Sequence, residues 1–213
     1  MVKSMKGYNI YLIRHGMIKE NAQGKYIGHT DAELSEEGIA ELENMCEKNV
    51  YPWVDAVVSS PLKRCVQTAG ILYPGREALT IEGLAECNFG EFEGKTADEL
   101  KDNETFVRWL AGDPDAVPQY GESSDRFSAR VCLAFEKIVD GILKAQTGST
   151  AVVTHGGVIM AVLEAYGIPE LAANKWRCDC GCGYVLRVDA RMWMTDRKIE
   201  VFSTFPYERE DEE

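Results

Sequence analysis

One feature constrains this chain more than any other: short apolar runs rich in β-formers alternate with stretches of helical periodicity. Residues 8–13 (YNIYLI) predict a buried strand. Residues 35–48 predict a helix: Ser35 is placed to cap it, acidic residues fill its first turn, and Ile39, Leu42 and Met45/Cys46 recur at helical spacing. Residues 54–58 (VDAVV) predict a second strand, and Pro61 stands where the next helix, LKRCVQTAGIL, would start. A short strand is predicted over 79–81 and a helix over 96–111. A long helix is predicted over 123–145, capped by Ser123 or Ser124, with Phe127, Val131, Phe135, Ile138 and Ile142 as its apolar stripe. Residues 150–154 (TAVVT) predict another strand, GGVIMAVLEAYG a helix, and about 184–188 and 199–203 two late strands. Such alternation implies an α/β fold, a three-layer α/β/α sandwich with a mostly parallel central sheet. The 213 residues suffice for one domain with a sizeable core. We expect a single domain over 1–207 and a solvated acidic tail over 208–213.

Parallel sheets place ligands at the carboxyl ends of their strands, so the strand exits are where function is sought. The first strand runs into Arg14-His15-Gly16, the second into Ser59-Ser60-Pro61 and then Arg64, and the fourth into His155-Gly156-Gly157. The chain has three histidines, and two of them stand at these exits. Singly, each residue has a plain structural reading: a turn histidine, a surface arginine. Jointly they match the needs of attack on a phosphate monoester. Two guanidiniums offset the substrate's charge with bidentate geometry. A neutral imidazole is a nucleophile that splits the displacement into two steps. A glutamic acid with a raised pKa can protonate the leaving oxygen. Arg14, His15, Arg64, His155 and Glu86 supply these parts, with no metal and no cofactor required.

Charge limits the partners. The formal net charge of -12 opposes binding to nucleic acid and to anionic membrane surfaces. It also opposes capture of an anionic substrate, so a phosphate site must be a local cationic pocket. The N-terminal apolar run is too short to span a membrane and lacks a signal-peptide pattern, and the seven cysteines are an odd count; both point to the cytoplasm. The run Cys178-Asp-Cys180-Gly-Cys182 lacks the usual zinc spacing and reads as a cysteine-rich strand entry. The sequence leaves the oligomeric state open.

Longer stretches around the strand exits carry a resemblance. LIRHG at 12–16 resembles the LxRHG signature of the histidine phosphatase, or phosphoglycerate-mutase-like, family. The spacing from Asn21 to Gly38, SSPLKRCVQTA at 59–69, LAECNFGEFEG at 84–94, GES at 121–123 and VVTHGG at 152–157 follow in family order. The resemblance implies that His15 takes the phosphoryl group and that Arg14, Arg64 and His155 hold its oxygens. It implies that Glu86 is proton donor and then base, and that Asn21 and the backbone at Gly28 and Gly156 line the phosphate pocket. His29, beside this loop, reads as a solvent-facing loop residue, with a place at the substrate entrance as the alternative. Where the family continues RHG with Glu and Thr or Ser, this chain has Met17 and Ile18, so a hydroxyl is missing there. Between 95 and 120 only Lys95, Lys101 and Arg108 are basic, and the FGEFEG form is similar to the phosphatase branch, which favours hydrolysis over mutase transfer. The loop GKYIGHTDAELSEEG and the late CGCGYVLRVD are similar to alpha-ribazole phosphatases. That implies a small phosphorylated metabolite as substrate, alpha-ribazole 5′-phosphate first, and a place in cobalamin biosynthesis. A mutase, or a catalytically weak phosphate-binding regulatory module, is the alternative.

Overall fold

The structure, a computed structural model, describes residues 7–208. Its strands are β1 (Tyr8–Arg14), β2 (Asn49–Val50), β3 (Ala56–Ser59), β4 (Ala78–Thr80), β5 (Ser149–Thr154), β6 (Gly167–Ile168), β7 (Gly183–Val188), β8 (Ile199–Phe205) and β9 (Tyr207–Glu208). Its α-helices are α1 (Lys19–Ala22), α2 (Glu36–Lys48), α3 (Lys63–Leu72), α4 (Ala97–Leu100), α5 (Glu104–Leu110), α6 (Ser124–Ala145), α7 (Gly156–Tyr166) and α8 (Ala190–Asp196). Seven strands form one sheet in the order β4-β3-β5-β1-β7-β8-β6. β7 alone runs against its neighbours; β1, β3, β4, β5, β6 and β8 are parallel to one another.

The pleat of the central strands sorts the core into two halves, because successive side chains point to opposite faces. Tyr8, Ile10 and Leu12 of β1, with Val152 of β5, pack under α6 and α7. Ile13, Ala151 and Val153 pack on the other face, against Leu42 of α2 and Cys65, Ala69 and Leu72 of α3. The molecule is thus the expected three-layer sandwich. The stripe on α6 is buried at all five expected positions, and Ser123 is the cap, its side chain accepting from the Arg126 N–H.

Several boundaries differ from the sequence reading. The expected helix over 96–111 is two short helices, because local caps break it: Thr96 and Glu99 form a capping box on α4, and the Asn103 side chain caps α5. Pro61 lies two residues before α3 rather than at its first position; the first amide of that helix, on Lys63, donates instead to Asp31 Oδ1 at 2.8 Å. Helices α1 and α8 and the short strands β2, β6 and β9 had no clear periodic signal. Glu208, where the acidic tail was expected to begin, pairs with Asn49, and 209–213 lie outside the described residues. No helix among the described residues is long and apolar enough to cross a membrane.

Candidate active site

The end of β1 is held on both sides. His15 N–H donates to Thr154 O at 2.8 Å on β5, and Arg14 N–H to Cys182 O at 2.9 Å on the turn before β7. That turn returns the contact, Gly181 N–H donating to Arg14 O at 3.0 Å and Arg14 Nη1 to Cys178 O at 2.8 Å. The CDCGC run is therefore a turn, as its place at a strand entry suggests, and its backbone clamps the first strand exit. Among the described residues, no three His, Cys, Asp or Glu side chains are grouped as metal ligands.

His15 is buried, and its Nδ1 lies 2.6 Å from Gly16 O. A carbonyl oxygen only accepts, so Nδ1 carries the proton and Nε2 keeps its lone pair. Burial lowers the His15 pKa to about 3, helped by the charges of Arg64 and Arg14 and opposed by the Gly16 bond. The ring is neutral across the physiological range. Gly16 is fixed in turn: its N–H donates to Thr68 Oγ1 at 2.9 Å, and Thr68 donates to Arg64 O at 2.6 Å.

Arg64 is fully buried, with no carboxylate partner among the described residues. Its Nη1 donates to Thr30 O at 2.9 Å and Nη2 to Gly28 O at 2.8 Å, while Nε donates to His155 Nδ1 at 3.3 Å. His155, also fully buried, therefore carries any neutral-form proton on Nε2, 2.8 Å from Ser60 Oγ. Burial holds its pKa well below the usual histidine range, and His15, Arg64 and Arg14 lower it further. The two rings meet edge to face with centroids 5.2 Å apart.

A cavity of about 630 Å³ opens over His15. Five of the eight expected site residues line it: Arg14, His15, Asn21, Glu86 and Gly156. Gly28, Arg64 and His155 stand in the layer behind, bonded to one another and to the backbone. Glu86 faces the cavity as a buried carboxyl, held by Cys87 N–H on Oε1 at 2.9 Å and Gly157 N–H on Oε2 at 3.0 Å. Burial raises its pKa; the two amides and the charges of Arg64 and Arg14 only partly offset that. A Cβ on Gly157 would run into the Glu86 carboxyl and force it out of this position. Two buried polar atoms on this wall have no protein partner, Arg14 Nε and Asn21 Oδ1.

Sequence reasoning missed the residues that hold these in place. Glu93 gathers the 28–30 loop, accepting from the N–H groups of Gly28 at 3.0 Å and His29 at 2.9 Å and from Thr30 Oγ1 at 2.7 Å. It is visible in the sequence only as the last acid of GEFEG. Arg130 on α6 donates to the carbonyls of Gly83, Ala85 and Glu86, and its charge is paired with Glu122, Nη2 to Oε2 2.7 Å. Burial would raise the Glu122 carboxyl, but the Arg130 bonds hold it below its usual value, so Glu122 is an ionised strut. His29 is exposed, as expected. Ile18 is fully buried where the family has a hydroxyl.

Residues 10–199 match the family model described as the histidine phosphatase superfamily (branch 1). The adenosylcobalamin/alpha-ribazole phosphatase of Salmonella typhimurium is 30% identical over 179 residues, which cover 81% of this chain and 87% of that relative. A 2,3-bisphosphoglycerate-dependent phosphoglycerate mutase of Bifidobacterium longum is 30% identical, with 74% and 76% covered. Among solved structures, that of a putative alpha-ribazole-5′-P phosphatase from Escherichia coli superposes with a TM-score of 0.75 at 25% identity, covering 95% of this chain and 96% of the other.

Proposed function

This chain belongs to the histidine phosphatase superfamily, and on that premise we propose that it hydrolyses a small phosphate monoester through a phosphohistidine on His15, with alpha-ribazole 5′-phosphate as the first substrate to try. The observation that carries this reading is the tautomer of His15. With Nδ1–H tied to Gly16 O, the Nε2 lone pair is the free end of the ring, on the wall of a cavity that Glu86 shares.

The phosphoryl group docks beside Arg14 and Asn21 at the N-terminus of α7, where orphan helix amides favour an anion. His15 Nε2 attacks phosphorus, the P–O bond to the leaving group breaks, and Glu86 delivers its proton to the departing alkoxide. The carboxylate left behind then takes a proton from water as that water attacks the phosphohistidine, which releases phosphate and restores Nε2. Arg64 and His155 act from behind: Arg64 places a buried positive charge next to the ring, and His155 bridges it to Ser60. Substrate choice is supported by the alpha-ribazole phosphatases among the relatives. The mutase alternative is disfavoured by the wall, where Arg177 is the only Lys or Arg besides Arg14.

Brief reaction with labelled substrate should yield an acid-labile, base-stable label, and His15→Ala should remove it and lower turnover by about 10⁴-fold or more. A label that persists in His15→Ala would take the nucleophile role from His15. Rapid interconversion of 3- and 2-phosphoglycerate with negligible phosphate release would make the mutase reading correct.

A further inference from the structure

Glu86 ends a run of chain that belongs to no strand and no α-helix; it follows the 3-10 turn Glu82–Leu84. No sheet ladder takes up the carbonyls of 83–86, yet buried carbonyls need donors. Side chains supply them. Leu84 O accepts from Thr154 Oγ1 at 2.9 Å. The carbonyls of Gly83, Ala85 and Glu86 accept from a single side chain, Arg130 of α6, at 3.1, 2.9 and 3.3 Å. The place of the acid is thus set from outside its own segment.

Arg130 is suited to this by its donors. A guanidinium carries five N–H groups in a rigid plane, and here each has an acceptor. Nη1 serves Gly83 and Ala85, Nη2 serves Glu86 and Glu122 Oε2, and Nε serves Glu122 Oε1 at 3.0 Å. The Glu122 N–H donates to Asn88 O at 2.8 Å, so the pair grips the chain on both sides of the acid. The Glu122 carboxylate also matches the charge of Arg130. The fork therefore meets the backbone of the acid as a set of donors rather than as a bare cation, which would favour the carboxylate over its protonated form. Gly83 lets α6 come this close, since a Cβ there would run into Ala134. Thr154, the other anchor, takes the His15 N–H on its carbonyl, so nucleophile and acid hang from one residue. Arg130 itself does not line the cavity. Resting on the phosphoester reading above, we propose that Arg130 is a positioning residue for the general acid: its five-donor fork, neutralised by Glu122, fixes the backbone of 83–86 so that the Glu86 carboxyl meets the leaving oxygen.

The test asks whether the loss of Arg130 is felt through Glu86. Arg130→Met should slow phosphoryl transfer from ribose 5-phosphate by roughly tenfold to 10²-fold with little change in KM. It should slow transfer from p-nitrophenyl phosphate far less, because that leaving group needs no proton. The second ester also shows that the variant is folded. Arg130→Lys keeps the charge but offers three donors, and should recover only part of the loss on ribose 5-phosphate; it carries the same comparison if the methionine variant does not fold. In a Glu86→Gln background Arg130→Met should add little, since the step it serves is already gone. Equal slowing of both esters would overturn the proposal and leave Arg130 a packing residue. So would a full further loss in the Glu86→Gln background, or a lysine variant as fast as wild type, since a point charge would then suffice. Failure of the wild type itself to release phosphate from either ester would overturn the phosphoester reading instead, and that failure shows in the parent enzyme before any variant is compared.

Discussion

The inner end of the cavity, at His15 and Glu86, and its outer chamber, lined by Tyr26, Phe89 and Trp109, are built by opposite means. At the inner end, positions are fixed by backbone hydrogen bonds at strand exits: His15 N–H to Thr154 O, Gly16 N–H to Thr68, Gly157 N–H to Glu86. Buried charges and lone pairs there are held by named partners: Arg64 by the carbonyls of Thr30 and Gly28, His15 Nδ1 by Gly16 O, and Glu86 by two amides. In the outer chamber, positions are fixed by ring-on-ring packing with no buried charge in the cluster. The first kind of construction controls protonation state and reaction geometry. The second controls shape and affinity, and tolerates substitution by residues of like size.

The sharpest way to separate the two is at Glu86, the acid that faces the cavity. Glu86→Gln keeps size and most hydrogen bonding but cannot donate a carboxylic proton. An alkoxide leaves poorly, so the phosphoryl-transfer step with a sugar phosphate should slow by about 10²–10⁴-fold. p-Nitrophenyl phosphate, whose leaving group needs no proton, should slow far less in the same step, read by burst kinetics. Equal slowing of both would make Glu86 a positioning group. Glu122 is excluded as a substitute acid by its pairing with Arg130, which keeps it ionised.

Acid stability probes the same contrast without substrate. His15, held down to about 3, and His155, also lowered, stay neutral in the folded chain while the unfolded chain takes up protons near pH 6.5. The unfolded state then binds more protons, so stability falls as pH drops below 6.5, by about 1.4 kcal/mol per pH unit for each histidine. Glu86, raised by burial, works the other way just above its ordinary value of 4.5 and subtracts from that slope. Denaturant unfolding from pH 7 to 4.5 should show the loss, and His15→Asn with His155→Asn should flatten it. An outer-chamber change such as Trp109→Phe should leave the slope as it is. A wild-type stability independent of pH over this range would mean that the buried ring pair is not held neutral.

Glu93 touches both regions, since it accepts from Phe89 N–H at 3.2 Å as well as from the 28–30 loop whose carbonyls hold Arg64. Glu93→Ala should loosen the loop and misplace Arg64, lowering kcat by roughly tenfold to 10²-fold. Glu93→Gln, which keeps one acceptor oxygen, should recover part of that. A change confined to KM would place its influence in the outer chamber alone.

The same contrast explains what was legible. The inner end was readable because its residues are short-range: RHG, SSPLKR and HGG each sit directly after an apolar run, so the motif and its strand are read together. Gly157 was less so, because the clash that a side chain there would make appears only once Glu86 lies against it. Glu93 was invisible: one acid among many, its role set by amides about 65 residues earlier in the chain. The turn at 178–182 acts through its carbonyls and one amide, which no side-chain pattern announces. The outer chamber was the least legible, because Tyr26, Phe89 and Trp109 meet only in the folded chain, and an aromatic residue looks alike in sequence whether it fills a core or faces a ligand. The single helix expected over 96–111 failed for a local reason, two N-caps seven residues apart in sequence that favour a break.

The smallest expected effect is none at all, and it bears on where the positive charge of the inner end comes from. A phosphoryl group needs compensation for about two negative charges as it is transferred. Arg14 and Arg64 provide two guanidiniums, neither in an ion pair with a carboxylate among the described residues, and Arg14 Nε has no protein partner. A guanidinium that is not spent on a carboxylate ion pair keeps much of its field for the substrate. The N-terminus of α7 adds partial positive charge from its amides. Hydrolysis should therefore proceed at an unchanged rate after prolonged treatment with a strong chelator, and vanadate, a mimic of five-coordinate phosphorus, should inhibit. Loss of activity in chelator, restored by zinc or magnesium, would show that the arginines are not sufficient. It would also turn attention to the thiols of the 178–182 turn, which already holds Arg14 by its carbonyls, as the place where a cation could enter.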